Sequence, residues 1–277
     1  MIGCATRFSN PFRIDGVIAV ITTYTSYTTI SRDLPGSLAR VAEKPDVARE
    51  SAYYLENIGK IKSVDDFMAD SRIYSYALKA HGLEDMEYAK AFIRKVLVEG
   101  VSNPDAFARK LADNRYAALA ETFNFEAHGA AATAFDQAQK GVVAKYQRQT
   151  LEEEAGAEDP GVRLALYFER MAPSIKSGME ILADDALAKV VRTVLQLPDE
   201  IAGLDVDRQA ALFEETINIE DFQDPSKLSK FLQRFSTLWE LENAPRVDNV
   251  TSLFAPSTSG ISTDLLISIN ALKLGGK

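Results

Sequence analysis

The segment Ile61-Lys62-Ser63-Val64-Asp65-Asp66-Phe67-Met68-Ala69-Asp70 occurs a second time, without a gap, as Ile175-Lys176-Ser177-Gly178-Met179-Glu180-Ile181-Leu182-Ala183-Asp184. Position 61 corresponds to position 175, an offset of 114 residues, and five of the ten positions are identical. Three further positions hold the conservative pairs Asp66/Glu180, Phe67/Ile181 and Met68/Leu182. Because self-similarity at a fixed spacing is typical of a repeated structural unit, we predict that one helical unit occurs twice in the chain.

Weaker matches lie on both sides of this segment. Pro45-Asp46-Val47 corresponds to Pro160-Gly161-Val162 upstream, and Asn103-Pro104 corresponds to Asp224-Pro225 downstream. Helices of similar composition also match by chance, but several matches in the same order along the chain favour an internal duplication. The repeat predicts architecture and says nothing about chemistry.

Length, composition and charge limit the class of protein. With 277 residues, of which 46% are hydrophobic, the chain is able to bury a full core as one large domain or two smaller ones. The net charge of −9 and the lack of a Lys/Arg cluster argue against a nucleic-acid-binding protein, since affinity for phosphate needs clustered basic side chains. The single cysteine, Cys4, cannot form an internal disulfide, so redox chemistry is not indicated.

The apolar run Val17-Ile18-Ala19-Val20-Ile21 is the candidate membrane or secretion segment. It is far shorter than the roughly 20 residues that span a bilayer. Asp15 stands just before the run, and no convincing small-residue cleavage site follows it. We therefore predict no membrane insertion and no export by the general secretory route.

The organisation of the chain is predicted from helical periodicity, capping residues and helix breakers. We expect a disordered N-terminal extension over residues 1–21, an extended arm over 22–44, a first helical repeat over 45–127, a connecting helix over 128–158, a second helical repeat over 159–243, and a linker plus C-terminal amphipathic helix over 244–277. The predicted fold class is all-α and multihelical, with two internally duplicated helical bundles joined by a long connecting helix.

Local signals support these boundaries. Residues 21–30 are rich in β-branched and aromatic side chains, which favour a strand, but no second good strand is available to pair with them. An extended arm on the helices is therefore expected there. From Pro45 onward the 3.6-residue period dominates, and Ser63 is the predicted N-cap of the helix that opens the repeated segment.

The last part of the chain carries the candidate docking residues. We predict a linker containing Pro245, Pro256 and the run Ser257-Thr258-Ser259-Gly260, followed by a short amphipathic helix. Its apolar face consists of Leu265, Leu266, Ile269 and Leu272. An apolar face on a flexible tether has to be buried, so we expect this helix to dock either on the protein's own core or on a protein partner.

The residues contain no recognisable catalytic, cofactor-binding or metal-binding motif. His81 and His128 lie far apart, and neither has a second His or Cys at metal-ligand spacing. His81 stands just before a helix-ending glycine, where it is expected to face the negative end of a helix dipole. We therefore predict no catalytic residues, no cofactor, no metal and no enzymatic activity.

Paired charges are interpreted structurally. The acidic pairs Asp65-Asp66, Asp184-Asp185, Glu214-Glu215 and Glu220-Asp221 are adjacent, and adjacent helical residues point about 100° apart, so they do not share a site. Two Asp-x-Arg steps, Asp70/Arg72 and Asp113/Arg115, indicate equivalent structural contacts between helices. A ligand-binding arginine is the less favoured alternative.

Several motifs resemble one family. They are Thr22-Thr23-Tyr24-Thr25-Ser26-Tyr27, Tyr53-Tyr54-Leu55-Glu56-Asn57-Ile58, Ser63-Val64-Asp65-Asp66-Phe67, the run from Gln149 through Val162–Phe168, and the run from Asp221-Phe222-Gln223-Asp224-Pro225 through Phe231–Phe235. They resemble an uncharacterised helical family of alpha-class proteobacteria that is defined only as a domain of unknown function. The resemblance extends over about residues 21–277. Similar proteins begin near Thr22, so residues 1–21 depart from the pattern, as a misplaced translation start would explain.

The resemblance implies a role as well as a fold. Members of this family are often encoded among flagellar genes, which implies a non-enzymatic, flagellum-associated protein: an assembly factor, an export-associated protein or a minor structural component. The implied partners are proteins of the flagellar export apparatus or rod, and the implied location is the cytoplasm, with export through the flagellar apparatus as an option. The alternative is a soluble helical adaptor or regulator unrelated to motility, with its partner groove between the two repeats.

Overall fold

The computed structural model describes residues 22–243, which form α-helices and 3-10 helices and no β-strand. The predicted all-α class is confirmed. The α-helices are α1 Thr23–Arg32, α2 Leu34–Ala42, α3 Pro45–Ile58, α4 Val64–Ala69, α5 Ser71–Ala80, α6 Lys90–Glu99, α7 Phe107–Lys110, α8 Asn114–Phe123, α9 Phe125–His128, α10 Lys140–Glu158, α11 Pro160–Met171, α12 Gly178–Leu182, α13 Asp185–Leu195, α14 Val206–Thr216 and α15 Pro225–Asn243. The 3-10 helices are Glu84–Met86, Gly129–Ala134, Ala172–Ser174, Asp199–Gly203 and Ile219–Gln223.

Two large hydrophobic cores stabilise the described part of the chain. Helices α3 to α9 and the start of α10 surround the first core, which includes Phe67, Ile73 and Phe123. Helices α1 and α11 to α15 surround the second core, which includes Phe168 and Phe235. We refer to helices α3–α9 as the first half and to α11–α15 as the second half.

Helices α10 and α11 form the contact between the halves. They are joined by Asp159 alone, whose carboxylate accepts a hydrogen bond from the backbone N–H of Gly161 and caps α11. Helix α10 packs along α2, α5 and α11. Helix α10 therefore packs against both halves, through α5 of the first half and α11 of the second.

The predicted start of the connecting helix, at residue 128, is wrong. Helix α9 ends at His128, a 3-10 helix follows over Gly129–Ala134, and α10 begins only at Lys140. Gly129 has a φ of +51°, a left-handed conformation that glycine adopts without strain and that ends α9. The alanine-rich composition of the segment suggested one long helix from residue 128, but the backbone turns between α9 and the start of α10.

The predicted extended arm over residues 22–44 is also wrong, because this region is helical. Thr22 and Asp33 cap α1 and α2 with their side-chain oxygens. Helix α1 lies on α11, and its Tyr27 is buried in the second core. Burial of this face against α11 therefore outweighs the β-propensity of the threonines and tyrosines, which is a weak preference.

The repeated segments have the same local structure. Ser63 and Ser177 each cap a short helix by accepting a hydrogen bond from the N–H three residues on. The carboxylate of the residue at that position accepts a second hydrogen bond from the backbone N–H of the residue before the serine. Lys62 donates to Asp66 at 3.1 Å, and Lys176 donates to Glu180 at 2.8 Å. This exchange is a variant of the capping box, in which a serine and an acidic side chain satisfy the free N–H groups at a helix start.

The equivalence continues beyond the repeated segment. Asp70 and Asp184 cap the helices that follow, α5 and α13. Each also accepts a hydrogen bond from a tyrosine of the preceding long helix: Tyr53 donates to Asp70 at 3.0 Å, and Tyr167 donates to Asp184. Tyr53 and Tyr167 stand 114 residues apart, which is the offset of the repeat. The two segments thus share a local arrangement, while duplication of the entire bundles stays a prediction.

Two predicted regions lie outside the described residues. They are the N-terminal extension, residues 1–21, and the linker with the amphipathic helix, residues 244–277. The docking residues Leu265, Leu266, Ile269 and Leu272 belong to the second of these regions. In residues 22–243, no helix is both long enough and apolar enough to cross a membrane.

Candidate functional site

An open cleft of 720 Å³ lies where the two halves meet α10. The first half contributes Gly82 and Arg115, α10 contributes Gln149 and Glu153, and the second half contributes Tyr167 and Asp184. In residues 22–243, no group of three or more His, Cys, Asp or Glu side chains is arranged to hold a metal ion.

Arg115 forms the first-half wall of the cleft. Its Nε and Nη2 donate to both carboxylate oxygens of Asp113 at 2.8–3.1 Å, and its Nη1 donates to the carbonyl of Gly82 at 2.7 Å. Its Nε also lies 3.8 Å from the Asp184 carboxylate of the second half. Burial opposes the charge of Arg115, but the hydrogen bonds and charge of Asp113 outweigh burial and raise its pKa. Arg115 therefore stays positively charged at every physiological pH.

Tyr167 and Asp184 form the opposite wall. The Tyr167 hydroxyl donates to the Asp184 carboxylate, which also caps α13 through the N–H groups of Ala186 and Leu187. Burial, and then the negative charge of Asp184, raise the pKa of the Tyr167 phenol. Tyr167 therefore stays neutral, and neither it nor Arg115 is tuned for proton transfer near neutral pH.

A buried ion network lies behind this wall and joins α10 to α11. Glu152, with 1% of its surface exposed, accepts hydrogen bonds at 2.8 Å from Nε of Arg148 and from Nε and Nη2 of Arg170. Arg170 also bonds Gln149 at 3.2 Å and lies 5.0 Å from the Tyr167 ring centroid. The fork of two parallel bonds between Arg170 and Glu152 is geometrically specific, so it fixes the angle between α10 and α11 beside the cleft.

His81 is buried at the C-terminal end of α5 and belongs to a second polar cluster. Its Nδ1 lies 2.7 Å from the carbonyl of Ala77, and its Nε2 lies 3.0 Å from the ammonium of Lys145. Lys145 also donates to the Thr122 hydroxyl at 2.9 Å. Because the lysine donates to Nε2, the neutral imidazole carries its proton on Nδ1 and donates to the last turn of α5. Burial, and then the charge of Lys145, lower the pKa of His81 to about 3.

This shift predicts a pH dependence of stability. In the unfolded chain His81 binds a proton below a pH of about 6.5, whereas in the folded chain it does so only near pH 3. The unfolded state therefore binds more protons between these values, and His81 lowers stability as the pH falls from 6.5 toward 3, by up to about 1.4 kcal/mol per pH unit. Urea unfolding at several pH values measures this slope.

The variant His81→Gln is expected to show a shallower slope than the wild type over the same pH range. The matched control is His128→Gln, because His128 is exposed on α9. Equal slopes for the wild type and His81→Gln would contradict the assignment of His81 as a buried neutral side chain.

The structure separates several of the residues that the sequence pointed to. His81 and His128 contact different side chains, and the two carboxylates of the adjacent pair Asp65-Asp66 bond different partners. Asp65 pairs with Arg94 at 2.8 Å, while the Asp66 carboxylate accepts a hydrogen bond from the backbone N–H of Lys62 at 3.1 Å. The two Asp-x-Arg steps are equivalent locally, since Asp70 and Asp113 each cap a helix by accepting a hydrogen bond from the N–H of the arginine two residues on. The predicted equivalence of their contacts between helices is wrong, because Arg72 donates to Glu50 of α3 whereas Arg115 donates to the carbonyl of Gly82.

Sequence reasoning missed Glu152, Lys145 and Tyr167. Glu152 opens the acidic run Glu152-Glu153-Glu154, and nothing in the run distinguishes the carboxylate that is buried from the two that are less buried. The repeat offset of 114 residues aligns Tyr167 with Tyr53 and so indicated that the two tyrosines make equivalent contacts. This alignment alone does not predict that a cleft lies beside Tyr167.

Comparisons with known proteins agree with this fold. Residues 80–228 match a family described as "Protein of unknown function (DUF1217)". The X-ray crystal structure of a protein from Agrobacterium tumefaciens, an alpha-proteobacterium, is 62% identical, covers 80% of this chain and 94% of its own, and has a TM-score of 0.75. The comparison with curated proteins gives no match. The resemblance to a family of unknown function is confirmed, while the flagellar context stays a prediction.

Proposed function

The chain belongs to the DUF1217 family of proteins of unknown function, and from this premise we propose that it is a non-enzymatic, flagellum-associated protein that acts by binding another protein. It serves as an assembly factor, an export-associated protein or a minor structural component. Its partners are proteins of the flagellar export apparatus or rod. It acts in the cytoplasm or passes through the flagellar apparatus.

The binding role is supported by one observation about the cleft. Arg115 and Tyr167 donate to acceptors of the protein itself, and both keep their ordinary protonation states at neutral pH. A reaction centre needs a nucleophile or an acid and base whose pKa values suit the step. A surface of fixed charge and shape suits recognition instead, since preorganised walls lower the free-energy cost of binding.

The flagellar part of the proposal is supported by the resemblance of the motifs in residues 22–27, 53–58, 63–67, 149–168 and 221–235 to a family whose members are often encoded among flagellar genes. It predicts that deletion of the gene reduces swimming. The measurement is the diameter of the swimming halo in soft agar, together with electron microscopy of the filaments. Expression of the wild-type chain from a plasmid is the control and should restore swimming. Normal filaments and normal swimming in the deletion strain would contradict the proposal.

A second candidate function is a helical adaptor or regulator unrelated to motility. It is favoured by the position of the cleft between the halves, where an adaptor is expected to hold its partner. Affinity capture with the full chain as bait discriminates between the candidates. Flagellar export or rod proteins should dominate under the first, and their absence together with normal swimming would favour the second.

A further inference from the structure

Helix α1 precedes the first half in sequence but packs on the second half. It lies on α11, whereas the next helix, α2, packs on α10, and α3 belongs to the first half. Asp33 alone joins α1 to α2. The chain therefore passes from the second half, along α10, to the first half within its first three described helices.

Hydroxyl groups on one face of α1 attach it to α11. Thr23 donates to Asp159 at 2.6 Å, and Tyr27 and Ser31 donate to Glu169 at 3.0 and 2.6 Å. The three donors are spaced four residues apart, so they lie on one face of the helix. Asp159 is the N-cap of α11 and its only link to α10, while Glu169 lies in the last turn of α11. Both ends of α11 are therefore tied to α1.

Glu169 also connects α1 to the buried ion network. Its Oε2 lies 3.8 Å from Nη2 of Arg148, and Arg148 bonds Glu152 at 2.8 Å. Arg148 also donates to the carbonyl of Leu166 in α11 at 3.0 Å. The carboxylate that holds two hydroxyls of α1 thus belongs to the side chains that fix the angle between α10 and α11.

The remainder of α1 contributes little to its attachment. Two of its ten residues, Thr23 and Tyr27, are buried, against six of the twelve residues of α11. Apart from Arg32, its sequence consists of threonine, serine, tyrosine and isoleucine, none of which is a strong helix former. A helix with few buried side chains and low propensity opens more readily than the elements around it.

Packing beside α1 is also incomplete. A groove of 330 Å³ lies between α1, which contributes Tyr24 and Thr28, and the segment leading into α15, which contributes Phe222 and Leu228. The hydrogen bond from the backbone N–H of Tyr24 to Glu240 of α15 is 3.3 Å long, beyond the usual 2.7–3.2 Å. Helix α1 is therefore held mainly through its hydroxyl face.

Helix α11, to which α1 is attached, is also a wall of the cleft. The cleft is lined by residues of α11 that recur every three or four positions: Pro160, Arg163, Leu164 and Tyr167. Residues at this spacing share one face of a helix. Gly161 faces α1 instead, because a β-carbon there would lie 2.9 Å from the methyl group of Thr23. Helix α11 therefore presents one face to α1 and another to the cleft.

We propose that α1 is a releasable strap. It detaches from α11 as a unit while both cores stay folded. While it is docked, it holds α11, and with it this wall of the cleft, at a fixed angle to α10. Release leaves α11 joined to α10 by Asp159 and by the network around Glu152, so that the opening of the cleft changes. The strap does not depend on which partner the cleft binds.

Hydrogen exchange of the full chain, followed by mass spectrometry, tests the release. After correction for their intrinsic rates, the amides of α1 should exchange at least about 100-fold faster than those in the interior of α11. Low concentrations of urea should leave the rate in α1 nearly unchanged, because the opening of one helix exposes little surface. Equal protection of α1 and α11 would show that α1 opens only on global unfolding and would overturn the proposal.

The variant Tyr27→Phe removes one anchoring hydroxyl and keeps the ring in the second core. Because a hydrogen bond to a charged acceptor is lost, exchange in α1 should become at least about tenfold faster. Tyr24→Phe is the matched control on the same helix, since the Tyr24 hydroxyl makes no hydrogen bond within residues 22–243. The same rate of exchange in the two variants would overturn the assignment of the hydroxyl face as the attachment.

Spin labels on opposite walls of the cleft test the effect on α11. They are attached at Asp85→Cys in the first half and Asp185→Cys in the second, both exposed positions, in a chain whose only native cysteine is removed by Cys4→Ser. Double electron–electron resonance measures the distance between the labels. With α1 docked, the distribution of distances should be narrow.

Removal of all three anchoring hydroxyls should release α1. The triple variant Thr23→Val, Tyr27→Phe, Ser31→Ala loses three bonds to carboxylates, which favours the released state by about 1000-fold at about tenfold per bond. Its label distances should broaden or shift, while Tyr24→Phe should keep the distribution of the labelled parent chain. If the triple variant does not fold, Tyr27→Phe with Ser31→Ala takes its place. An unchanged distribution in the folded variant would overturn the proposal that α1 holds the cleft wall.

Discussion

Replacing Glu152 with alanine is expected to lower the free energy of unfolding by about 3–5 kcal/mol, because one buried carboxylate compensates the guanidinium groups of buried Arg148 and half-buried Arg170. The Arg148 and Arg170 side chains are 9% and 28% exposed, and both bond Glu152 at 2.8 Å. Removal of the carboxylate leaves two positive charges near each other with little water to stabilise them. Thermal unfolding followed by circular dichroism should show a midpoint about 10 °C lower, at about 2–4 °C per kcal/mol for a chain of this size.

The matched control is Glu154→Ala, two residues further along α10. Glu154 pairs with Lys44 at 2.7 Å, but the two side chains are 37% and 45% exposed. Exposed ion pairs contribute about 0–1 kcal/mol, so this variant should unfold close to the wild-type temperature. Similar midpoints for Glu152→Ala and Glu154→Ala would show that the buried network does not stabilise the contact between α10 and α11.

The second large effect is expected from Gly178→Val, which gives the second repeated segment the residue of the first. A β-carbon at Gly178 would lie 2.5 Å from the carbonyl oxygen of Ala210 in α14, and a backbone atom cannot rotate away. The N–H of Gly178 also donates to Glu214 of α14 at 2.6 Å, so a shift of α14 loses this bond. We expect a loss of at least about 3 kcal/mol, at the upper end for overpacked sites, measured by urea unfolding.

Gly59→Ala is the control for Gly178→Val. A β-carbon at Gly59 would have no neighbour within 4 Å, and the φ of Gly59 is −66°, which alanine adopts freely. Because alanine also restricts the unfolded chain, this variant should be as stable as the wild type or more stable by about 0.4–1 kcal/mol. If Gly178→Val unfolds at the same urea concentration as the wild type, α12 and α14 are able to move apart with no loss of stability, which would contradict this prediction.

The helical fold was predictable wherever local signals agreed. Ser63 caps a helix at the residue where the sequence indicated a helix start, and Ser177, the aligned residue of the second repeated segment, does the same. The two errors have different causes, burial at the first and a local backbone turn at the second. Tyr27 and its neighbours have β-propensity but pack on α11, and the segment after His128 has helical propensity but contains a left-handed Gly129.

The candidate site was much less predictable. The Asp-x-Arg step marked Arg115 as a residue that makes contacts, but its contact with Asp184 joins residues that are far apart in sequence. The offset of 114 aligned Tyr53 with Tyr167 and Arg72 with Ala186. Only the coordinates showed that Ala186 lines a cleft and that Arg72 covers the ring of its own tyrosine.

Helix starts, the all-α class and the recurring cap structure follow directly from the amino-acid sequence, because each depends on hydrogen bonds between residues two to four positions apart. The burial of Glu152, the neutrality of His81 and the opening of the cleft at Ala186 depend on the packing of helices from different parts of the chain. Chemically identical side chains acquire different properties there, since the free-energy cost of a charge depends on the water and the partner charges around it. Those surroundings exist only after α10 has brought the two halves together.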